Sequence, residues 1–75
     1  MEKKINQILA DTLKVPLEKT TEDLTMDDVN NWDSLTHMNL IVAIEGELGI
    51  ELSGDDIAEM ISFNAIRSTV AKYVN

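Results

Sequence analysis

The 75-residue sequence has no cysteine, so neither disulfides nor thiolate metal sites can staple the fold, and stability must come from packing of its apolar residues. It has one histidine, His37, and a single imidazole makes no metal site. Lysine and arginine are missing from residues 20–66, which hold eleven acids, and the net charge is −8. Such a surface repels nucleic acid and anionic lipid and draws basic patches on proteins, so neither nucleic acid nor a membrane is expected as a partner. No stretch approaches the roughly 20 apolar residues of a membrane span. The start, MEKKINQILADTLK, interrupts its apolar run with Asn6, Gln7 and Asp11, so no targeting signal is read and a cytoplasmic location is expected. A chain this short builds one small core and has little room for a complete active-site cleft, so a single domain over residues 1–75 is expected and an enzyme is not.

What is present is helical spacing. Ile5, Ile8, Leu9, Thr12 and Leu13 recur along one helix face, and Val15-Pro16 ends the segment because a residue before proline avoids the helical region; a helix is expected over about residues 2–14. Leu17 to Trp32 is rich in Thr, Asp and Asn but punctuated by Leu17, Leu24, Met26, Val29 and Trp32, the pattern of an ordered loop pinned to the core at intervals. A second helix is expected over about Ser34 to Leu48, with Leu35, Met38, Ile41, Val42, Glu45 and Leu48 forming a stripe that Leu40 and Ile44 widen. Asp33 suits its N-cap, and Gly49 suits a left-handed C-terminal turn. Ser53 or Gly54 opens a short helix containing Ile57, Met60 and Ile61. The last helix starts near Ser62, with Phe63, Ile66, Val70, Tyr73 and Val74 inward and Arg67 and Lys72 outside. Ile50-Glu51-Leu52 alternates but is too short for a strand. The expected fold class is all-α, a small four-helix bundle of three main helices and one short one.

Ser34 opens the second helix, where free backbone N–H groups and the positive end of the helix dipole would support a phosphate ester. The plainer reading is a capping or first-turn serine. A third makes Ser34 a nucleophile with His37, three residues on, as its base, although no orienting third residue or oxyanion loop is visible. His37 otherwise reads as a partly exposed helix residue and Trp32 as an apolar anchor packing the loop end on the helix. Asp27-Asp28 with Asp33, and Asp55-Asp56 with Glu59, lack the ligand series and central glycine of a calcium loop, so they read as solvated acidic surface and no metal site is assigned.

Trp32-Asp33-Ser34-Leu35 opening a helix that continues through Met38, Leu40, Ile41, Ala43, Ile44 and Glu45 resembles the acyl carrier protein family. The likeness takes in the long preceding loop, Glu45-Gly46-Glu47-Leu48-Gly49, Ile50-Glu51-Leu52 with Asp55-Asp56, and the closing helix to Tyr73-Val74. The resemblance implies that Ser34 is esterified by 4′-phosphopantetheine, transferred from coenzyme A by a phosphopantetheinyl transferase (holo-acyl-carrier-protein synthase) using magnesium. The arm would supply the thiol this chain lacks and hold acyl or aminoacyl cargo as a thioester, while acyl-loading and acyl-processing enzymes with basic surfaces do the chemistry. It further implies partner recognition through Asp33, Leu35, Met38, Glu45, Glu47, Glu51, Asp55 and Asp56. Leu40, Ile41, Ile44, Ile57, Met60 and Ile61 would be candidates to line a space for an acyl chain, beside their default role as core. Thr36 and Asn39 stand where carriers of fatty acid synthesis usually have acids, and Asn31 replaces a common glycine. That points within the class of fatty acid, polyketide and related carriers to a dedicated one, for polyketide, aminoacyl or surface-polysaccharide modification. A monomer is expected of a diffusing carrier. The alternative is an unmodified acidic helical module that binds a basic protein surface.

Overall fold

The computed structural model describes residues 2–74. Helix α1, Glu2–Leu13, ends one residue earlier than its spacing suggests. Val15 must be extended ahead of Pro16, so the chain turns at Lys14, which takes φ 60°, and Val15 N–H reaches back to Ala10 O at 3.2 Å. A left-handed turn is costly for a residue with a Cβ, so the proline is stopping the helix against the preference of lysine. A 3-10 turn at Leu17–Thr21 follows, then α2, Ser34–Leu48, the short α3, Gly54–Glu59, and α4, Phe63–Val74. Four α-helices, the 3-10 turn and one isolated bridge, Thr25 with Ser62, make up the regular structure among the described residues, with the helices in the three-long-and-one-short arrangement the spacing predicts. None of the described helices is long and apolar enough to cross a membrane.

The core lies where α1, α2 and α4 meet. Ile5, Leu9 and Leu13 of α1, Leu40, Ile41 and Ile44 of α2, Met60, and Phe63, Ile66 and Val70 of α4 are all essentially inaccessible. Full burial of each such side chain contributes about 1.5–3 kcal/mol before ordering costs. Helix α2 is rotated relative to the expected stripe. Its buried residues are His37, Leu40, Ile41 and Ile44, whereas Leu35, Met38 and Val42 are 73%, 48% and 64% exposed. Apolar residues surround much of this helix, so spacing alone admits two faces, and packing on α1 and α4 selects the one carrying the histidine.

Helix α3 starts on Ser53, whose Oγ accepts the Asp56 N–H at 3.1 Å, and none of its residues is fully buried. Ile57 is half-buried within it, and Met60 just beyond its end is fully buried. Ile61 departs from expectation: it points to solvent, 54% exposed, while its carbonyl accepts the Met26 N–H at 3.3 Å. Tyr73 lies at the rim instead of in the core, its hydroxyl donating to Asp56.

The long loop is pinned as expected at Val29 and Trp32, but Leu17 is exposed. Much of its anchoring is polar. Phe63 N–H donates to Leu24 O at 2.9 Å, Asn64 N–H to an Asp23 carboxylate oxygen at 3.0 Å, and the Asn31 amide to Leu13 O at 3.1 Å. Arg67, expected outside, is half-buried because its guanidinium bridges segments, donating to Thr20 O and, at 3.0 Å, to the Asn6 side chain. Thr20 is fully buried, its hydroxyl satisfied by Leu17 O at 2.6 Å.

Candidate attachment site at the start of helix α2

Asp33 has an extended backbone, φ −112° and ψ −174°, and its Oδ1 accepts the Thr36 N–H at 2.8 Å, so it caps α2. That backbone N–H, foremost, holds the Asp33 carboxyl below the ordinary carboxylate range. Ser34 is therefore the first helical residue, and it is exposed. The first turn of α2 contains no acid of its own, so beside the serine the positive end of the helix dipole is offset only by the Asp33 cap. On one side lie the exposed Leu35 and Met38. On the other, a polar groove of about 380 Å³ runs between the end of α1, the loop and α2, lined among others by Lys14, Asn30, Asn31, Thr36 and Asn39.

These residues fit a phosphodiester on Ser34. The hydroxyl is open to solvent, it stands at a helix N-terminus, and the one adjacent carboxylate, Asp33, is turned back onto the Thr36 N–H. The neighbouring groove is bordered by one cation, Lys14, and by the Asp33 carboxylate itself.

His37, expected to be partly exposed, is buried. It is 8% exposed, and both ring nitrogens are engaged: Nδ1 accepts the Trp32 Nε1–H at 2.9 Å, and Nε2 donates to Ile57 O at 2.9 Å. A carbonyl only accepts and an indole N–H only donates, so this tautomer is dictated by its partners. With both nitrogens occupied, His37 has no lone pair for the Ser34 hydroxyl, which removes the nucleophile-and-base reading. Trp32 is buried as expected and also packs on Phe63 of α4, ring centroids 5.7 Å apart. Its link to His37 leaves a trace in sequence only as the one tryptophan standing five residues before the one histidine.

The acids differ in how free they are. Glu47, Glu51 and Asp55 are exposed. Glu45 is half-buried, its Oε2 accepting the Leu52 N–H at 2.8 Å, so it fastens the turn after α2. Asp56 is bound by the Tyr73 hydroxyl and, at 3.0 Å, by the Lys72 ammonium. The tyrosine first, then the lysine, draw its carboxyl below the ordinary range, and Asp56 in turn raises Lys72. Asp28 caps a turn, Oδ2 accepting the Thr25 N–H at 3.0 Å. No group of three or more acids or histidines among the described residues is placed to hold a metal ion.

Residues 3–70 match the family described as "Phosphopantetheine attachment site". The chain is 37% identical to an acyl carrier protein of Buchnera aphidicola subsp. Baizongia pistaciae, over 99% of this chain and 95% of that protein. It is 33% identical to an acyl carrier protein of Buchnera aphidicola subsp. Schizaphis graminum, over 100% of this chain and 90% of that one.

Proposed function

Since this chain belongs to the acyl carrier protein family and carries that family's phosphopantetheine attachment site, we propose that Ser34 is the residue that bears the arm. The observation that carries this is the exposed Ser34 hydroxyl at the head of α2, with Asp33 committed to the cap and no acid in the first turn. A phosphopantetheinyl transferase forms the bond: Ser34 Oγ attacks the pyrophosphate of coenzyme A, a P–O bond to serine replaces the one to the nucleotide, and the serine proton leaves to a base on the transferase. The arm supplies a thiol at high local concentration, and the protein presents its thioester without catalysing acyl transfer.

Partners dock on the exposed side of α2. Leu35 and Met38 offer an apolar contact beside the serine, Asp33 borders it, and Glu47, Glu51 and Asp55 attract basic surfaces further along. Glu45 and Asp56 contribute less, because one is spent on Leu52 N–H and the other on Lys72 and Tyr73. Leu40, Ile41, Ile44 and Met60 are core residues behind the α2–α3 seam, with Ile57 at its edge; they are what an acyl chain would meet on entering. The region beside Ser34 carries Thr36 and Asn39 in place of acids, which favours a dedicated carrier of a specialised pathway, polyketide or aminoacyl, over the general carrier of fatty acid synthesis. The chain acts as a single domain and a monomer in the cytoplasm.

The test is to incubate the protein and a Ser34→Ala variant with coenzyme A, magnesium and a broad-specificity phosphopantetheinyl transferase and to record intact masses. One added arm on the wild type alone is the expected result. No addition with several transferases would sink the assignment and leave an unmodified interaction module as the better account.

A further inference from the structure

Helix α3 is the least anchored element of the bundle. It buries none of its residues fully, and polar ties hold it. Asp56 fastens it to α4 through the Lys72 ammonium at 3.0 Å and the Tyr73 hydroxyl, and His37 fastens it to α2 through the Nε2–H bond to Ile57 O at 2.9 Å. Helix α1, in contrast, meets the rest through Ile5, Leu9 and Leu13, all inaccessible. A chain tethered at Ser34 and drawn toward the core therefore parts α2 from α3 more readily than α2 from α1, and His37 stands one turn below Ser34 on that seam.

We infer that the Trp32–His37–Ile57 hydrogen-bond chain is a specificity-determining latch that keeps saturated acyl chains on the arm out of the helix core. The inference rests on Ser34 carrying the arm. Opening the seam leaves the Ile57 carbonyl and the imidazole without partners, and methylene groups cannot replace them; an unpaired buried polar group costs more than the net worth of the bond it lost. Trp32 makes the latch stiff. Its indole is held between Phe63 and the imidazole, and by donating to Nδ1 it puts the proton of His37 on Nε2, facing Ile57 O. The imidazole cannot turn aside for an incoming chain without losing both bonds. Behind it Leu40, Ile44 and Met60 are fully buried. Saturated cargo, long or short, therefore stays outside on the arm, open to partner enzymes.

The experiment loads the full chain from acetyl- and octanoyl-coenzyme A with a phosphopantetheinyl transferase, verifies the mass, and measures cleavage of each thioester by hydroxylamine together with the Met60 methyl NMR signal. In the wild type the two thioesters should be cleaved at rates within about twofold of each other, and the Met60 methyl should stay in place. In His37→Leu, octanoyl cleavage should slow about tenfold relative to acetyl and the methyl should move. His37→Gln, whose amide both donates and accepts, should restore wild-type behaviour, which a merely space-filling role would not require. Should His37→Leu not fold, Trp32→Phe must protect the octanoyl thioester in the same direction. A wild-type octanoyl thioester that is protected and shifts Met60, or latch variants that treat both cargoes alike, would overturn the latch alone. Failure to load Ser34 overturns the carrier assignment and the latch with it.

Discussion

Two glycines three residues apart in and after α2 should respond to the same substitution with opposite signs. Gly49 closes the helix at φ 65° and ψ 37°, its N–H donating to Glu45 O at 2.9 Å, while Gly46 lies inside the helix. A Cβ added at either position meets nothing within 4 Å, so no clash confuses the comparison and only backbone preference remains. Forcing an alanine into the left-handed region costs about 1–2 kcal/mol, and the stiffer unfolded chain returns about 0.4–1 kcal/mol. Gly49→Ala should therefore destabilise by about 1 kcal/mol. Gly46→Ala gains the helix preference of alanine, about 0.5–1 kcal/mol, in the stabilising direction. In a domain of this size the two variants should melt roughly 10 °C apart, wild type between them. Urea titration followed by far-ultraviolet circular dichroism reads the difference as displaced midpoints with an unchanged slope. Gly49→Asn, which tolerates the left-handed region, should fall between Gly49→Ala and wild type. If both alanine variants moved the midpoint in the same direction, the account of how α2 ends would be wrong.

The rotated face of α2 gives a second contrast: Ile44→Ala, at a fully buried position, should cost about 2–5 kcal/mol. Val42→Ala, 64% exposed, should stay within about 0.5 kcal/mol, and near-equal losses in chemical denaturation would mean that the other stripe faces inward. The Asp33 cap predicts an acid-side effect. Its carboxyl is held below the ordinary range when folded, so its contribution is complete above the unfolded value of about 3.9 and disappears as pH falls through the folded value. Asn remains a good cap, so Asp33→Asn should match wild type near neutrality and lose less stability than wild type below about pH 4. Relief of the surplus negative charge on acidification acts on both proteins alike, and a constant difference from pH 7 to pH 2.5 would refute the assignment.

Most element boundaries were legible because punctuation and spacing agree locally. Asp33 and Gly49 delimit α2 as their backbone angles require, Ser53 caps α3, and Pro16 stops α1, early by the single residue that the turn at Lys14 consumes. What spacing could not settle was which side of α2 faces inward, since Leu35, Met38 and Val42 make as good a stripe as His37, Leu40, Ile41 and Ile44; the choice is made by α1 and α4. His37 was illegible for a related reason. A buried imidazole is tolerable only with partners for both nitrogens, and these come from Trp32 across the helix cap and from Ile57 twenty residues away. Thr20 and Arg67 are of the same kind: a buried hydroxyl and a half-buried cation, satisfied by contacts that no local pattern announces.

The polar stitching of the loop to α4 has a consequence for the order of events during synthesis. The bonds that fix residues 20–26 reach forward to residues 61–67: Thr20 O to Arg67, Asp23 to Asn64 N–H, Leu24 O to Phe63 N–H, and Met26 N–H to Ile61 O. Contacts spanning about forty residues close late, since the intervening chain must be ordered before they reward it. A growing chain that has exposed only α1, the loop and α2 thus displays Ser34 at the head of a helix whose preceding loop is still searching for its moorings. An enzyme that reads the folded surroundings of that serine would act only after translation had delivered α4, and so would modify finished molecules in preference to nascent ones.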